Sequence, residues 1–157
     1  MQDALFIVVP KKGYEELQRH VIYKYYRSAA GLLQIAFMGN DVYAAQFVGS
    51  NEMVESQDED NLVRDVFKKF IICGTEFQIR VWEEIMHIPA GEVKTYQQIA
   101  ESLGKPQAYR AVANAVASNK IAYFIPCHRV IRQDNNLGGY KWGVERKELL
   151  LKSEGAW

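Results

Sequence analysis

Apolar positions change their period along this chain. From Leu5 to Val9 they form a short run closed by Pro10, which predicts a strand. Leu33, Ile35 and Phe37 then alternate with Gln34 and Ala36. Gly39-Asn40-Asp41 follows, and Val42 to Val48 resume the apolar pattern. Strand, turn and strand at this spacing predict a β-hairpin. The period then lengthens. Leu62, Val63, Val66, Phe67 and Phe70 recur at helical spacing, with Ser56-x-x-Glu59 offering a capping box ahead of them. Residues 1–72 thus read as a small sheet with a helix across it, and they hold no catalytic constellation.

The remainder, 73–157, reads as mostly helical. Thr75-x-x-Gln78 offers a capping box, and Phe77, Val81, Trp82, Ile85 and Met86 share one helical face. Pro89-Ala90-Gly91 predicts a turn. Thr95-x-x-Gln98 opens another helix, which Gly104 should end. Pro106 suits the first turn of the next helix, whose buried stripe is Ala108, Val112, Ala115 and Val116. Two short helices joined at Gly104-Lys105 fit a helix-turn-helix, although an αα-hairpin in a globular core is the commoner meaning of such a pattern. The expected fold is α+β: a small sheet-plus-helix domain over 1–72, then a winged-helix-like domain over 73–157.

Composition narrows the class. Hydrophobic residues make up 48% and charged residues 24% of 157, a globular profile. No apolar run approaches the ~20 residues that span a bilayer, and no basic stretch leads into a long apolar core near Met1. Neither a membrane span nor a secretory signal is therefore expected. The 19 basic and 19 acidic residues cancel, which is unusual for a protein that meets phosphate. Their distribution is uneven, however. Acids cluster between Glu52 and Asp65, whereas Gly104 to Arg132 contains Lys105, Arg110, Lys120, Arg129 and Arg132 and no acid. That stretch favours anions locally.

The two cysteines, Cys73 and Cys127, make no disulfide framework. Cys73 has no neighbouring Cys or His ligands, so neither a metal nor a cofactor is expected. His20 and His87 read as local structural residues. Cys127 differs, because it sits in Ile125-Pro126-Cys127-His128-Arg129-Val130. A cysteine beside a titratable base can serve as a thiolate nucleophile, although a buried cysteine is more often inert.

The surrounding segments choose between these readings. Gly74-Thr75-Glu76-Phe77-Gln78, Val81-Trp82, Ile88-Pro89-Ala90-Gly91, Thr95-Tyr96, Gly104-Lys105-Pro106 and Arg110-Ala111-Val112 precede the cysteine motif. Asn119 lies just before it, and Gly138-Gly139-Tyr140, Lys147-x-x-Leu150-Leu151 and Glu154-Gly155 follow. In order and spacing, over about residues 74 to 155, this series resembles the O6-alkylguanine-DNA alkyltransferases. The resemblance implies DNA repair by irreversible transfer of a small alkyl group from O6-alkylguanine, with O4-alkylthymine as an open extension. The acceptor would be Cys127, used once per molecule after the damaged base is flipped out. It also implies His128 as the base for the thiol, through a water, and Glu154 as the acid orienting it. Asn119 would tie down the active-site turn, and Tyr96 would assist the departing base. Tyr96, Val130, Gly138, Gly139, Tyr140 and Lys141 would form the base pocket, with the Cys127 and Val130 carbonyls accepting from the guanine amine. Arg110 would be the finger filling the vacated stack. Ala111, Thr95, Lys105 and Arg129 would contact DNA.

The implied partner is double-stranded DNA carrying the lesion, bound by a monomer without membrane or obligatory protein partner. The implied compartment is the cytoplasm, or the nucleus in a eukaryote. Lys120 and Lys141-Trp142 depart from many members and resemble the bacterial adaptive-response branch, where Trp142 would narrow the pocket or pack outside it. Three other functions stay open on the sequence. One is a damage-recognition relative that transfers nothing, against which Cys127 argues. The others are a helix-turn-helix regulator and a Cys-His-Glu hydrolase.

Overall fold

The computed structural model describes residues 5–49 and 69–157. The chain divides into two compact units, Met1–Gly74 and Thr75–Trp157. No helix among the described residues is long and apolar enough to cross a membrane.

The first unit is built on a five-stranded mixed sheet. Strands β1 (Phe6–Val8), β2 (Ile22–Ser28), β3 (Gly31–Met38), β4 (Asp41–Phe47) and β5 (Phe70–Ile72) lie in the order β1-β5-β4-β3-β2. The expected hairpin is β3–β4, closed by Gly39 at a φ of 61°, where a side chain would be strained. Along β3, Leu33, Ile35 and Phe37 are buried, as the alternation requires.

Three features were not legible in the pattern. Strand β2 mixes tyrosines with charges and shows no clean alternation. Helix α1 (Lys11–Leu17) has a largely polar sequence and is held by tertiary contacts instead. The Tyr14 hydroxyl donates to the Tyr43 carbonyl at 3.0 Å, and the Tyr43 hydroxyl returns a bond to the Tyr14 carbonyl at 2.7 Å. Their rings stack at 4.2 Å. Phe70, expected at the end of a helix, lies instead in β5, paired in parallel with Phe6. Three consecutive buried residues, Phe70, Ile71 and Ile72, fit a strand covered on both faces. The rest of that expected helix and its capping box fall outside the described residues.

The second unit starts at α2 (Glu76–Met86). Thr75 Oγ1 accepts from the Gln78 amide at 3.2 Å, and Gln78 Oε1 accepts from the Thr75 amide at 2.9 Å, so the expected capping box is complete. Thr95 and Gln98 repeat the device at α3 (Tyr96–Ser102), which ends before Gly104 at a φ of 71°. Pro106 opens a 3₁₀ turn, Pro106–Ala108, that runs into α4 (Tyr109–Ala117). Val112, Ala115 and Val116 are buried there as expected, while Ala108 is only half-buried. Helices α3 and α4 make the helix-turn-helix. Two short strands, β6 (Lys94–Thr95) and β7 (Val130–Ile131), pair in parallel and set the start of α3 beside the segment that follows Cys127. Helix α5 (Val144–Ser153) closes the unit through buried Leu150 and Leu151.

Trp82 joins α2 to α4. Its side chain is 4% exposed, and Nε1 donates to the Ala115 carbonyl at 2.9 Å. Trp82→Ala leaves a large cavity and should cost about 3–5 kcal/mol in urea denaturation. A loss below about 1 kcal/mol would mean that this contact does not hold the helices together.

Candidate active site

Asn119, two residues beyond α4, organises the turn that carries Cys127. It is 1% exposed, so its amide must be satisfied internally. Oδ1 accepts from the Ile121 amide at 2.9 Å. Nδ2 faces the Ile121 and Ile125 carbonyls at 3.1 Å each and the Cys127 sulfur at 3.3 Å. A single side chain therefore fixes the loop and touches the Cys127 sulfur. Cys127 opens a 3₁₀ turn, Cys127–Arg129, closed by the Arg129 amide donating to the Pro126 carbonyl at 2.9 Å.

The next side chain, His128, is fully buried. Its Nε2 lies 2.9 Å from Glu154 Oε1. Arg129 grips the same carboxylate, with Nε at 3.0 Å from Oε2 and Nη2 at 2.8 Å from Oε1, and its Nη1 donates to the Ile88 carbonyl at 2.7 Å. Burial alone would push the Glu154 carboxyl up. The hydrogen bonds and charges of His128 and Arg129 outweigh it and bring it down to about 2. An ionised carboxylate can only accept, so Nε2 carries the hydrogen in neutral His128, and Nδ1 keeps a lone pair. Nδ1 has no hydrogen-bond partner among the described residues. Burial also lowers the His128 pKa against the pull of Glu154, which favours a neutral, proton-accepting imidazole.

Cys127 rests as a thiol, the form for which the sequence called for a base. Burial pushes its pKa up to about 11, although Asn119 and Lys147 oppose this. Forming a free thiolate at neutral pH would cost about 5 kcal/mol. A positioned general base typically contributes 10²- to 10⁴-fold, about 3–5 kcal/mol, which is the same range.

Cys127 lines a pocket of about 340 Å³ together with Tyr96, Gly139, Tyr140, Lys141 and three residues of α4, Ala113, Val116 and Ala117. Burial raises the Tyr96 and Tyr140 pKa values, so both phenols stay protonated and can donate. Of the residues expected to form the base pocket, Gly138 and Val130 are not in its lining. Gly138 stands behind it. A Cβ there would come within 3.0 Å of Arg132 and 3.6 Å of the Tyr96 hydroxyl, and its φ is 72°. The Val130 carbonyl accepts from Lys147 Nζ at 2.7 Å, which leaves one lone pair for another donor. Trp142 packs edge-on to Tyr140 at 5.4 Å and is not in the lining.

Among the residues expected at DNA, Arg110 and Ala111 are exposed near the start of α4, and Arg110 lies over the Tyr109 ring at 5.9 Å. Lys105 is exposed and reaches the Phe77 ring at 5.4 Å. Thr95 spends its hydroxyl on the α3 cap. Arg129 has a different setting from the one expected. Its guanidinium is committed to Glu154 and Ile88 and is mostly buried, so it braces the site rather than offering a free cation to phosphate.

One residue of the site had no role assigned from sequence. Lys147 is fully buried, with Nζ bonded to the carbonyls of Val130, Leu137 and Gly139. Three carbonyls satisfy an ammonium's three donors, and together they tie both walls of the pocket loop to α5. Burial lowers its pKa to about 8. Its signal was its place in Lys147-x-x-Leu150-Leu151, where a charge recurs on the face of two buried leucines. Among the described residues, no group of three or more His, Cys, Asp or Glu side chains is arranged to hold a metal ion.

A helix-turn-helix unit with a buried thiol, a His-Glu pair and an aromatic pocket defines a class, and comparison with known proteins identifies it. The model of the 6-O-methylguanine DNA methyltransferase DNA-binding domain matches residues 76–156, and the chain belongs to that family. It is 57% identical over 83 residues to the bifunctional transcriptional activator/DNA repair enzyme Ada of Escherichia coli strain K12, covering 53% of this chain and 23% of that protein. It is 45% identical over 104 residues to the methylated-DNA–protein-cysteine methyltransferase of Lodderomyces elongisporus, covering 64% of this chain and 52% of the relative. The chain thus spans about a quarter to a half of the length of these curated relatives. A crystal structure of Mycobacterium tuberculosis OGT in complex with DNA shares 32% identity and a TM-score of 0.69, over 85% of this chain and 92% of that one.

The ionised Glu154 contributes stability that is fully present above its ordinary pKa of 4.5 and is lost as pH falls through about 2. The gap corresponds to about 3 kcal/mol. Urea denaturation from about pH 5 to about pH 2 should show the wild type losing a few kcal/mol more than Glu154→Gln. Parallel curves would contradict the brace.

Proposed function

We propose that this chain repairs duplex DNA by transferring a methyl or other small alkyl group from O6-alkylguanine to Cys127, once per molecule. The observation that carries this reading is the Cys127 sulfur in the wall of an aromatic pocket, bonded by Asn119 and adjacent to the His128–Glu154 pair. In the proposed reaction sulfur attacks the alkyl carbon, an S–C bond forms and the O6–C bond breaks. His128 takes the thiol proton, directly or through a water, and Glu154 stabilises the imidazolium. The bond's electrons pass to the guanine, where the protonated Tyr96 hydroxyl donates to the departing base. Arg129 holds Glu154 in place. Lys147 fixes the loop that Tyr140 and Gly139 contribute to the pocket. A thioether has no exit by these groups, so the protein is consumed. A reducing compartment, the cytoplasm or a eukaryotic nucleus, keeps the acceptor a thiol.

A thiol cannot reach a base inside the helix, so the nucleotide must leave the stack. Exposed Arg110 on α4, flanked by small Ala111 and Ala113, suits the vacancy by planar stacking and hydrogen bonding.

Incubation with duplex DNA carrying O6-[³H-methyl]guanine should leave one stable label per protein, on Cys127, and Cys127→Ala should abolish it. Catalytic turnover would indicate a hydrolase, binding alone a recognition protein or regulator, and label on Cys73 a wrong acceptor.

Arg110→Ala separates extrusion from chemistry. At saturating duplex DNA its single-turnover rate should fall about tenfold or more, since flipping costs a few kcal/mol. Reaction with free O6-benzylguanine, which has no stack to leave, should change little. Equal loss on both substrates would make Arg110 a support of the fold, and no loss on DNA would reject the finger.

A further inference from the structure

Arg132 directly follows β7 and takes no part in the pocket lining. A tight turn fixes its backbone. The Arg132 amide donates to the Asn136 carbonyl, and the Asn135 amide to the Arg132 carbonyl, each at 3.0 Å. Asn135 adopts the left-handed region there, at a φ of 61°, which asparagine tolerates. Asp134 serves twice. Its Oδ1 accepts from the Asn136 amide at 3.1 Å, and its Oδ2 stands 3.7 Å from Arg132 Nη2. One acid thus braces the turn and draws the guanidinium. The stem of Arg132 runs past Gly138. A Cβ on Gly138 would stand 3.0 Å from Arg132 Cγ, 3.5 Å from its Cδ and 3.6 Å from the Tyr96 hydroxyl. The arginine stem and the phenol oxygen therefore flank one place, which stays open because residue 138 has no side chain. Tyr96 in turn lines the pocket with Cys127.

We propose that Arg132 is a positioning residue of the transfer site, which acts through Tyr96 by setting a positive charge beside the phenol that donates to the departing base. This rests on the reading of Tyr96 as that donor. Burial is the largest influence on the Tyr96 hydroxyl and holds it protonated. The Cys127 sulfur, when ionised, works the same way, and Arg132 opposes both. Tyr140 and Lys141 share the pocket lining. In the proposed transfer, negative charge leaves the sulfur as the S–C bond forms and appears on the guanine as the O6–C bond breaks. The opposition from Cys127 therefore vanishes during the step, while the pull of Arg132 remains. The phenol becomes the stronger donor when the base needs it. The Arg132 side chain is 62% exposed, so solvent screens its charge and the expected effect is modest.

The test uses the full chain and two readouts. With difluorotyrosine in place of Tyr96, fluorine NMR follows the phenol directly in a mild pH range. Arg132→Gln should raise its titration midpoint by about half a pH unit or more, whereas Arg132→Lys keeps the cation and should leave it near the wild-type position. The second readout is the single-turnover rate with the natural tyrosine. Arg132→Gln should slow transfer about two- to fivefold, on saturating duplex DNA and on free O6-benzylguanine alike. In a Tyr96→Phe background the same substitution should change the rate little. An unmoved phenol titration overturns the proposal, and so does a full Arg132 effect in the absence of the phenol. A loss confined to duplex DNA also overturns it and makes Arg132 a phosphate contact. A wild type that transfers no alkyl group, while Arg132→Gln still moves the phenol, would refute the proposed function and leave the arginine–phenol coupling standing.

Discussion

The site depends on one partly buried carboxylate. Glu154 follows α5 and is held by the residue after Cys127, His128, and the one after that, Arg129. Through Arg129 it also reaches the Ile88 carbonyl, just beyond α2. Gly91 tightens the same junction. Its Cβ, if present, would stand 3.2 Å from the Glu154 carbonyl, and its φ is 92°. Three segments distant in sequence converge on one acid. Removing either partner would leave a charge with low solvent access incompletely paired, a costly state.

This arrangement also settles the electrostatics of the nucleophile. A cysteine at a helix N-terminus or beside free cations would be a resting thiolate, open to oxidation and stray alkylation. Here burial keeps Cys127 protonated. The cationic Arg129 is turned to Glu154, and Lys147 is spent on three carbonyls. In the proposed reaction, reactivity is deferred until an electrophile occupies the pocket and the neutral imidazole takes the proton. For the single-use acceptor proposed above such restraint is an advantage, because every adventitious reaction would remove one molecule.

The backbone carries as much of the design as the side chains. The parallel pair β6–β7 brings Tyr96 toward the cysteine turn. Asn119 and Lys147 then fix the loops on either side of it by bonding their carbonyls. Both are buried polar residues whose donors are matched by several acceptors. That matching is the condition under which a buried network rigidifies a site instead of weakening it.

The sequence by itself determined the α+β class, the β3–β4 hairpin, both capping boxes, the break at Gly104 and the motif around Cys127. Each depends on local rules: period, turn chemistry, or residue types at fixed spacing. The pairing of His128 with Glu154 was legible only through family spacing. Tertiary structure decided the rest. Helix α1 exists because Tyr14 and Tyr43 lock it to the sheet, and Phe70 is a strand residue because Phe6 pairs with it. Arg129 looked like a cation for phosphate until its partner was known, since a guanidinium has the same composition in either setting. Lys147 had no role assigned from sequence, and only three converging carbonyls explain its burial. The thiol of Cys127 is protonated because of what surrounds it, and no motif encodes desolvation. Local sequence fixes which bonds a segment can make, whereas the choice among them depends on which distant groups the fold delivers.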